Sequence, residues 1–357
     1  MYIDELNIQY NNVYERLVDE ESRRIFENRF EYLVTRDINK LEEKLYSDNI
    51  HYTCQKLDKI LRDTQKNIVI FGAGECGKKN KKNLDRCRKY NIKGFCDNNL
   101  DIIGTIIEDI PVISVKEAVE DKDCVIVISS IKYGKELYEQ LLQLGVPVER
   151  IVTSTLGFLE IQCGWQYFDF FEPGEKEIFL DAGTYDGGTI VDFYKWMGNK
   201  EGICYGMEPV PEMYKIASRN IKSYANAKIY NYAAWNRKED LKLNMDTNID
   251  GKIWGGSSVS DAGIIKVMGE SIDDVLEENG TPITLLKRDI EGSERKALEG
   301  ARKSIIKYKP RMAISVYHKP EDILEIPNYI LTLDNRYNFA LRHYTGNANE
   351  TVLYAEI

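Results

Sequence analysis

Twice in this chain a short apolar stretch runs into a glycine-rich turn and then into a segment of helical period: Asn67 to Gly77, NIVIFGAGECG, and Glu177 to Gly188, EIFLDAGTYDGG. A run of about five apolar residues bounded by glycine offers no polar face to water, so it reads as a strand covered on both sides. The helix after each turn must then cross back over the sheet. This confines the chain to parallel α/β architecture, and to two sheets of it.

The strands NIVIF, IKGFCD, DCVIVISS and ERIVT, with helices over residues 78–90 and from Lys132 to Leu144, make the first α/β unit. The second begins with EIFLDAG, GICYGMEP and AKIYNYAAW, with helices from Ile190 to Trp196 and from Pro211 to Ser223. It continues through LKLNM, IIKVM, ITLLKRDI, RMAISVYH, NFALRH and ETVLYAEI, with a helix from Ser293 to Tyr308. No helical pattern separates the last two strands, so they read as an antiparallel pair closing the sheet. Ahead of both units, Val13, Leu17, Ile25, Phe26, Phe30, Leu33 and Val34 recur at helical spacing. A chain of 357 residues exceeds one ordinary core. The expected division is a helical segment over 1–64, a Rossmann-like domain over 65–155 and a larger α/β domain over 160–357.

Composition narrows the function. No apolar run approaches the ~20 residues of a membrane span, and MYIDELNIQYNN lacks the basic start and apolar stretch of a secretory signal, so a cytoplasmic location is expected. A net charge of -10 argues against a broad nucleic-acid surface. The seven cysteines (Cys54, Cys76, Cys87, Cys96, Cys124, Cys163 and Cys204) form no CxxC pair and read as reduced thiols. His318, His343 and Asp289 have no diagnostic ligand spacing, so no metal site is expected. Whether the chain forms a homo-oligomer is open.

Gly72, Gly74 and Gly77 follow a strand and open a helix, and Asp97 ends the next strand, which is the dinucleotide fingerprint. Two readings stand: a second nucleotide or nucleotide-sugar site, or a tight turn with no ligand. The following helix carries Lys78, Lys79, Lys81, Lys82, Arg86, Arg88 and Lys89 against Asp85, either a solvated face or an attractor for phosphate.

The second turn has a different spacing, Asp181-x-Gly183-x-x-x-Gly187. It suits a ligand with a cationic amino-acid end rather than a pyrophosphate, with glycines allowing close backbone approach. Glu208 ends the next strand, where a carboxylate reaches ribose hydroxyls. Asp289 and Glu291 end a later strand and His318 another, so four strand ends converge on one crevice. Against these stand plainer roles: helix capping for Asp181, Glu208, Asp289 and Glu291, and a hydrogen-bonded turn for His318. His343 reads as structural, and the cluster Trp165, Tyr167, Phe168, Phe170 and Phe171 as core packing or a lid.

The order LDAGTYDGGT, MEP, NYAAWN, SIDDVL, LKRDIEGSE, ALEGA, KPRMAISVYHKPEDI, LRHYT and TVLYA resembles the FkbM family of methyltransferases from about Trp165 to the end. The front half resembles longer members less specifically. The resemblance implies a class I methyltransferase fold with a Rossmann-like seven-stranded sheet, S-adenosylmethionine as donor, and transfer to a hydroxyl, less readily an amino group, of a sugar, glycan or small metabolite. It implies donor contacts from Asp181, Gly183, Tyr185, Asp186, Gly187, Glu208, Pro209, Ala233, Ala234 and Asp289, and from a loop holding Ser257 and Ser258. It places Asp289, Glu291 and Gly292 in a D-x-E-G motif, with Arg288 where an apolar residue is common and Gly188 where an acid often stands.

Methyl transfer is an in-line displacement in which the protein mainly positions the reactants. For a hydroxyl acceptor the proton acceptor expected first is His318, with Asp289 and Glu291 behind it. No Asn/Asp-Pro-Pro-aromatic motif follows the fourth strand, which disfavours nucleic-acid methylation. The competing readings are an NAD(P)-dependent oxidoreductase built on the GAGECG loop and a donor-binding scaffold without catalysis.

Overall fold

The computed structural model describes residues 2–45, 67–86, 90–130, 133–153, 166–168, 170–247, 253–260, 262–280, 282–344 and 348–357. Cys54, Cys87, Arg88, Lys89, Cys163 and Trp165 lie outside the described residues. Two helices open the chain, α1 (Tyr2–Tyr14) and α2 (Glu20–Thr35). Asp19 caps α2 by accepting from the Ser22 amide at 2.8 Å, and its carboxylate meets Arg342 at 2.7 Å. Val13, Leu17, Ile25 and Phe26 enter one core with Ile323, Ile330 and Phe339. These helices therefore belong to the larger compact unit, Met1–Arg36 with Tyr167–Arg342 and Glu350–Ile357. The sequence had set residues 1–64 apart because helical period alone does not say what an apolar stripe packs on.

The smaller unit is Asp37–Gln166 with His343–Asn349. After a helical stretch at residues 38–45, here α3, it contains β1 (Asn67–Phe71), α4 (Glu75–Arg86), β2 (Ile92–Asp97), β3 (Ile106–Ile107), β4 (Ile110–Ser114), α5 (Val115–Glu120), β5 (Cys124–Ile128), α6 (Gly134–Gln143) and β6 (Ile151–Thr153). The sheet order is β3-β4-β2-β1-β5-β6, parallel except for the β3–β4 pair. Ile68 and Ile70 enter one core and Val69 and Phe71 another, so β1 is covered on both faces, as its apolar run required. The β3–β4 hairpin turns through Glu108 and Asp109 at φ 47° and 64°. No Asn-Gly or Asp-Gly marks that turn, so it was not legible.

The larger unit continues with β7 (Lys176–Ala182), α7 (Gly188–Met197), β8 (Glu201–Met207), α8 (Pro211–Asn220), β9 (Ala227–Tyr230), β10 (Ala233–Trp235), β11 (Glu239–Thr247), β12 (Ile253–Val259), β13 (Ile265–Ser271) and α9 (Ile272–Asn279). It ends with β14 (Leu285–Arg288), α10 (Glu294–Gly300), α11 (Arg302–Tyr308), β15 (Arg311–Ser315), α12 (Asp322–Leu333), β16 (Asn338–His343) and β17 (Thr351–Glu356). Its main sheet runs β16-β17-β15-β14-β7-β8-β9, with β17 antiparallel to β15. This is the Rossmann-like seven-stranded sheet that the resemblance implied.

Two readings are corrected. AKIYNYAAW is two strands, because the chain leaves the main sheet at Asn231, whose amide is held by the carbonyls of Glu208 and Pro209. β10 then joins a separate sheet ordered β10-β13-β11-β12. The helix expected from Ser293 to Tyr308 breaks at Ala301. There Gly300 packs so closely that a Cβ would lie 1.9 Å from the Trp235 carbonyl oxygen. Among the described residues no helix is long and apolar enough to cross a membrane.

Candidate active site

The turn after β7 is built on its own backbone. The amides of Gly183 and Thr184 donate to the Met207 carbonyl at 3.0 and 3.1 Å, tying the turn to the end of β8. Gly183 has φ +86°, and a Cβ there would lie 1.9 Å from the Asp289 carbonyl oxygen. No other residue fits, because both the conformation and the space exclude a side chain. Through this contact the turn after β7 meets the loop after β14. Tyr185 takes φ 52°, a left-handed conformation uncommon outside glycine. Its amide donates to Glu208 Oε2 at 2.8 Å. Asp186 Oδ1 accepts from the Gly188 amide at 2.9 Å at the start of α7. Gly187, at φ +88°, packs against Ala217 and Ile221.

Glu208 is buried, and its second oxygen accepts from the Val210 amide at 2.9 Å. Burial pushes its carboxyl up to about 7, with the two amides pulling the other way. Each oxygen has one backbone donor and retains a lone pair for a ligand hydroxyl. Pro209 follows it into the start of α8. Asp181 is fully buried and faces Lys287 Nζ at 3.0 Å. Lys287 also donates to the Gly183 carbonyl at 2.7 Å. Burial raises the Asp181 carboxyl above its ordinary value and Lys287 opposes that rise. Asp181 thus shapes the turn with Lys287 from beneath. Oδ1 is taken by the Lys287 ammonium, whereas Oδ2 makes no hydrogen bond among the described residues and keeps acceptor capacity toward an ammonium group.

The D-x-E-G motif and His318 form one cluster. His318 Nε2 lies 3.4 Å from Asp289 Oδ1 and 3.2 Å from Glu291 Oε2, and its Nδ1 lies 2.9 Å from Glu294 Oε1. Burial pulls the imidazole pKa down, but Glu291, Glu294 and Asp289 outweigh it and push it up to about 11. The side chain expected as first proton acceptor is thus surrounded by three carboxylates. Asp289 also accepts from Tyr167 Oη at 2.7 Å and from Tyr317 Oη at 3.3 Å. Glu291 and Gly292 turn the chain at φ 56° and +87°. Glu294 Oε1 accepts from the amides of Ile290 and Gly292 at 3.1 and 3.3 Å, closing the motif on itself.

Four residues of this site were not singled out by sequence: Lys287, Glu294, Tyr317 and, in its bonding role, Tyr167. A lysine inside an otherwise apolar strand was the available signal for Lys287. Lys287 and Arg288 are adjacent in β14 and so point to opposite faces. Arg288 is fully buried beside Glu294 and Asp322, and burial lowers its pKa to about 9. Phe168 and Phe171 are core residues, whereas Tyr167 reaches the site.

Ala233 and Ala234 lie buried on β10 in the four-stranded sheet. Ser257 and Ser258 are not in a loop, as expected, but in β12, opposite Met245 and Asn244 of β11. The two glycines before them are compatible with an edge strand, which is why the segment read as a turn. His343 ends β16, buried. Among the described residues the metal-type cluster is Asp289, Glu294 and His318, which does not include it.

In the smaller unit Gly72 has φ +107°, and a Cβ on Gly77 would lie 1.9 Å from the Gly72 carbonyl oxygen, while Gly74 has open space beside it. Asp97 is engaged by the turn itself: Oδ2 accepts from the Ala73 amide at 2.8 Å and Oδ1 from the Asn99 amide at 2.9 Å. On α4, Lys78 pairs with Glu75 at 2.9 Å, Lys81 with Asp85 at 2.7 Å and Lys82 with Glu108 at 3.4 Å, which fits a solvated face. Cys76, Cys96, Cys124 and Cys204 are free thiols.

Residues 181–339 match the family model described as the methyltransferase FkbM domain, and residues 64–152 match one described as C2185-like, N-terminal. Similar solved structures include the methyltransferase FkbM of Methylobacillus flagellatus KT, at 17% identity and TM-score 0.44, covering 88% of this chain and 99% of that one. An rRNA methylase of Streptococcus thermophilus is 13% identical over 52% of this chain and 89% of its own, at TM-score 0.34. Fibrillarin of Aeropyrum pernix, solved with natively bound S-adenosyl-L-methionine, is 12% identical over 52% of this chain and 69% of its own, at TM-score 0.32. No curated protein matches the chain.

Proposed function

We propose, from the match of residues 181–339 to the methyltransferase FkbM domain, that the chain transfers a methyl group from S-adenosylmethionine to a hydroxyl of a sugar, glycan or small metabolite. The observation that carries this reading is the contact of Gly183 with the Asp289 carbonyl. It sets a turn suited to the donor directly against a loop of carboxylates suited to an acceptor.

The donor supplies a methyl group on a sulfonium, activated without help from the protein. Gly183, Tyr185, Asp186 and Gly187 form the cradle under it, Asp181 faces its amino group and the free lone pairs of Glu208 take the ribose hydroxyls. Pro209, Ala233 and Ala234 border the nucleoside. Asp289 and Glu291 accept hydrogen bonds from the acceptor hydroxyl and hold it in line with the methyl carbon, an effect of positioning. Carboxylates suit a hydroxyl better than an already nucleophilic amine, which needs no such acceptor.

Calorimetry with S-adenosylmethionine, followed by transfer of labelled methyl to a panel of polyhydroxylated acceptors, tests the reading. Binding that disappears in Glu208→Ala supports it. Binding of NAD but not of S-adenosylmethionine, lost in Asp97→Ala, would overturn it in favour of the oxidoreductase.

A further inference from the structure

His318 has a carboxylate at each of its ring nitrogens. Nδ1 lies 2.9 Å from Glu294 Oε1, and Nε2 lies 3.2 Å from Glu291 Oε2 and 3.4 Å from Asp289 Oδ1. A neutral imidazole carries a proton on one nitrogen and a lone pair on the other, so either tautomer would turn a lone pair toward a carboxylate. The imidazolium, a donor at both nitrogens, is the form that matches these neighbours. Asp322 at the start of α12 adds negative charge near the ring, while the cations Arg288 and Lys319 stand beside Glu294 and the Gly292 carbonyl. The His318 side chain is only 8% exposed and its ring packs on that of Tyr317. It therefore offers no lone pair to an incoming hydroxyl.

The two carboxylates that face Nε2 differ. Both oxygens of Asp289 are engaged, Oδ2 by Tyr167 Oη at 2.7 Å and Oδ1 by Tyr317 Oη at 3.3 Å, and the Lys287 ammonium acts on the same carboxylate. Glu291 Oε2 faces the imidazole, whereas Oε1 takes no hydrogen bond among the described residues, and the side chain is 36% exposed. The backbone around Glu291 is fixed on both sides, because Glu294 Oε1 accepts from the amides of Ile290 and Gly292. Glu291 itself takes φ 56°, a left-handed conformation that a residue with a side chain keeps only where its surroundings enforce it. Ile290, one residue earlier, packs on the donor turn, its Cγ2 2.9 Å from where a Gly183 Cβ would stand. One carboxylate oxygen is thus left free and accessible, one residue from that contact.

We propose that Glu291, through Oε1, takes the proton of the acceptor hydroxyl, and that His318 is a positioning residue that holds Oε2 rather than the base. This rests on the methyltransferase reading. As the acceptor oxygen bonds to the methyl carbon, the carbon–sulfur bond breaks and the sulfonium becomes a neutral thioether. The oxygen becomes a protonated ether, a far stronger acid than the alcohol, so a carboxylate suffices to remove its proton. Glu291, open to solvent, then returns that proton to water.

The test does not require the acceptor. Sinefungin carries an ammonium on carbon where S-adenosylmethionine carries its sulfonium methyl, so it sets a proton donor toward Glu291; S-adenosylhomocysteine has no group there. Calorimetry on the full chain should show sinefungin bound about tenfold more tightly than S-adenosylhomocysteine. Glu291→Gln should bring the two affinities together. A preference missing from the unmodified chain, or kept in Glu291→Gln, overturns the proposal and leaves the donor site standing. Binding of neither compound counts against the methyltransferase reading itself. For His318 the readout is 15N NMR of the chain labelled at its three histidines. One imidazole should stay protonated at both nitrogens from about pH 5 to about pH 9, with its signal absent in His318→Gln. If all three rings lose a proton below about pH 8, His318 is the base after all and the assignment falls.

Discussion

The carboxylate of Asp181 and the ammonium of Lys287 lie 3.0 Å apart with both side chains out of contact with solvent, and the same ammonium holds the Gly183 carbonyl. This pair ties β7 to β14 at the point where the glycine turn begins. Breaking a buried pair from one side leaves an uncompensated charge, so Lys287→Met is expected to cost about 3–5 kcal/mol. Adding Asp181→Leu should recover much of that loss in chemical denaturation. Equal stability of the single and double variants would show that the pair is not the cause.

Gly183→Ala places a methyl group 1.9 Å from the Asp289 carbonyl in a conformation with φ +86°. A left-handed alanine alone costs roughly 1–3 kcal/mol, and the clash adds to it. A melting temperature lowered by several degrees and no heat of S-adenosylmethionine binding are expected. A variant that binds the donor normally would mean the turn and the D-x-E-G loop are not in contact.

Burial raises the Glu208 carboxyl to about 7, above its ordinary 4.5. The fold therefore favours the protonated form. The stability cost of ionising it is absent below about pH 4.5, grows up to about 7 and is constant above. The ionised form is the stronger acceptor for ribose hydroxyls, so donor affinity should rise as pH climbs from 6 to 8, by at most about tenfold per unit below 7. Glu208→Gln should abolish both slopes. A slope retained in that variant assigns it to another group.

Asp19 caps α2 and pairs with Arg342. Burial pushes its carboxyl up, but the bonds from Arg342 and Ser22 outweigh that and hold it at about 2. Its folded value is depressed, so its contribution is complete above about pH 4 and fades as pH falls toward 2. Asp19→Ala should cost about 1–2 kcal/mol near neutrality, mostly the cap, because the pair is partly exposed. No loss in a thermal melt would mean that other groups secure α2.

In the smaller unit Asp97 accepts from the Ala73 and Asn99 amides. Asp97→Ala should speed hydrogen exchange at Ala73 and leave S-adenosylmethionine affinity unchanged. Weakened donor binding would contradict the assignment of the donor to the turn at Gly183.

Asp97 and Glu208 show how far reading the sequence reached. Each ends the second strand of its sheet and was read as a carboxylate waiting for ribose; each accepts the amide of the neighbouring glycine turn. Strand ends and their acids are local features, visible as an apolar run followed by a charge. The hydrogen bonds are made between segments about 23 residues apart in sequence, and no local pattern records them. Ser257 and Ser258 failed for a related reason: glycines at an edge strand look like a turn until β11 supplies the partner.

By itself the sequence determined two Rossmann-like sheets, the glycines that admit no side chain and the acids at the strand ends, because burial period and left-handed backbone are properties of short segments. Only the tertiary structure decided that α1 and α2 pack into the larger unit, that Lys287 neutralises Asp181, and that Glu294 stands behind His318. Those relations depend on which distant segments share a buried space, where an unpaired charge is far more costly than a paired one.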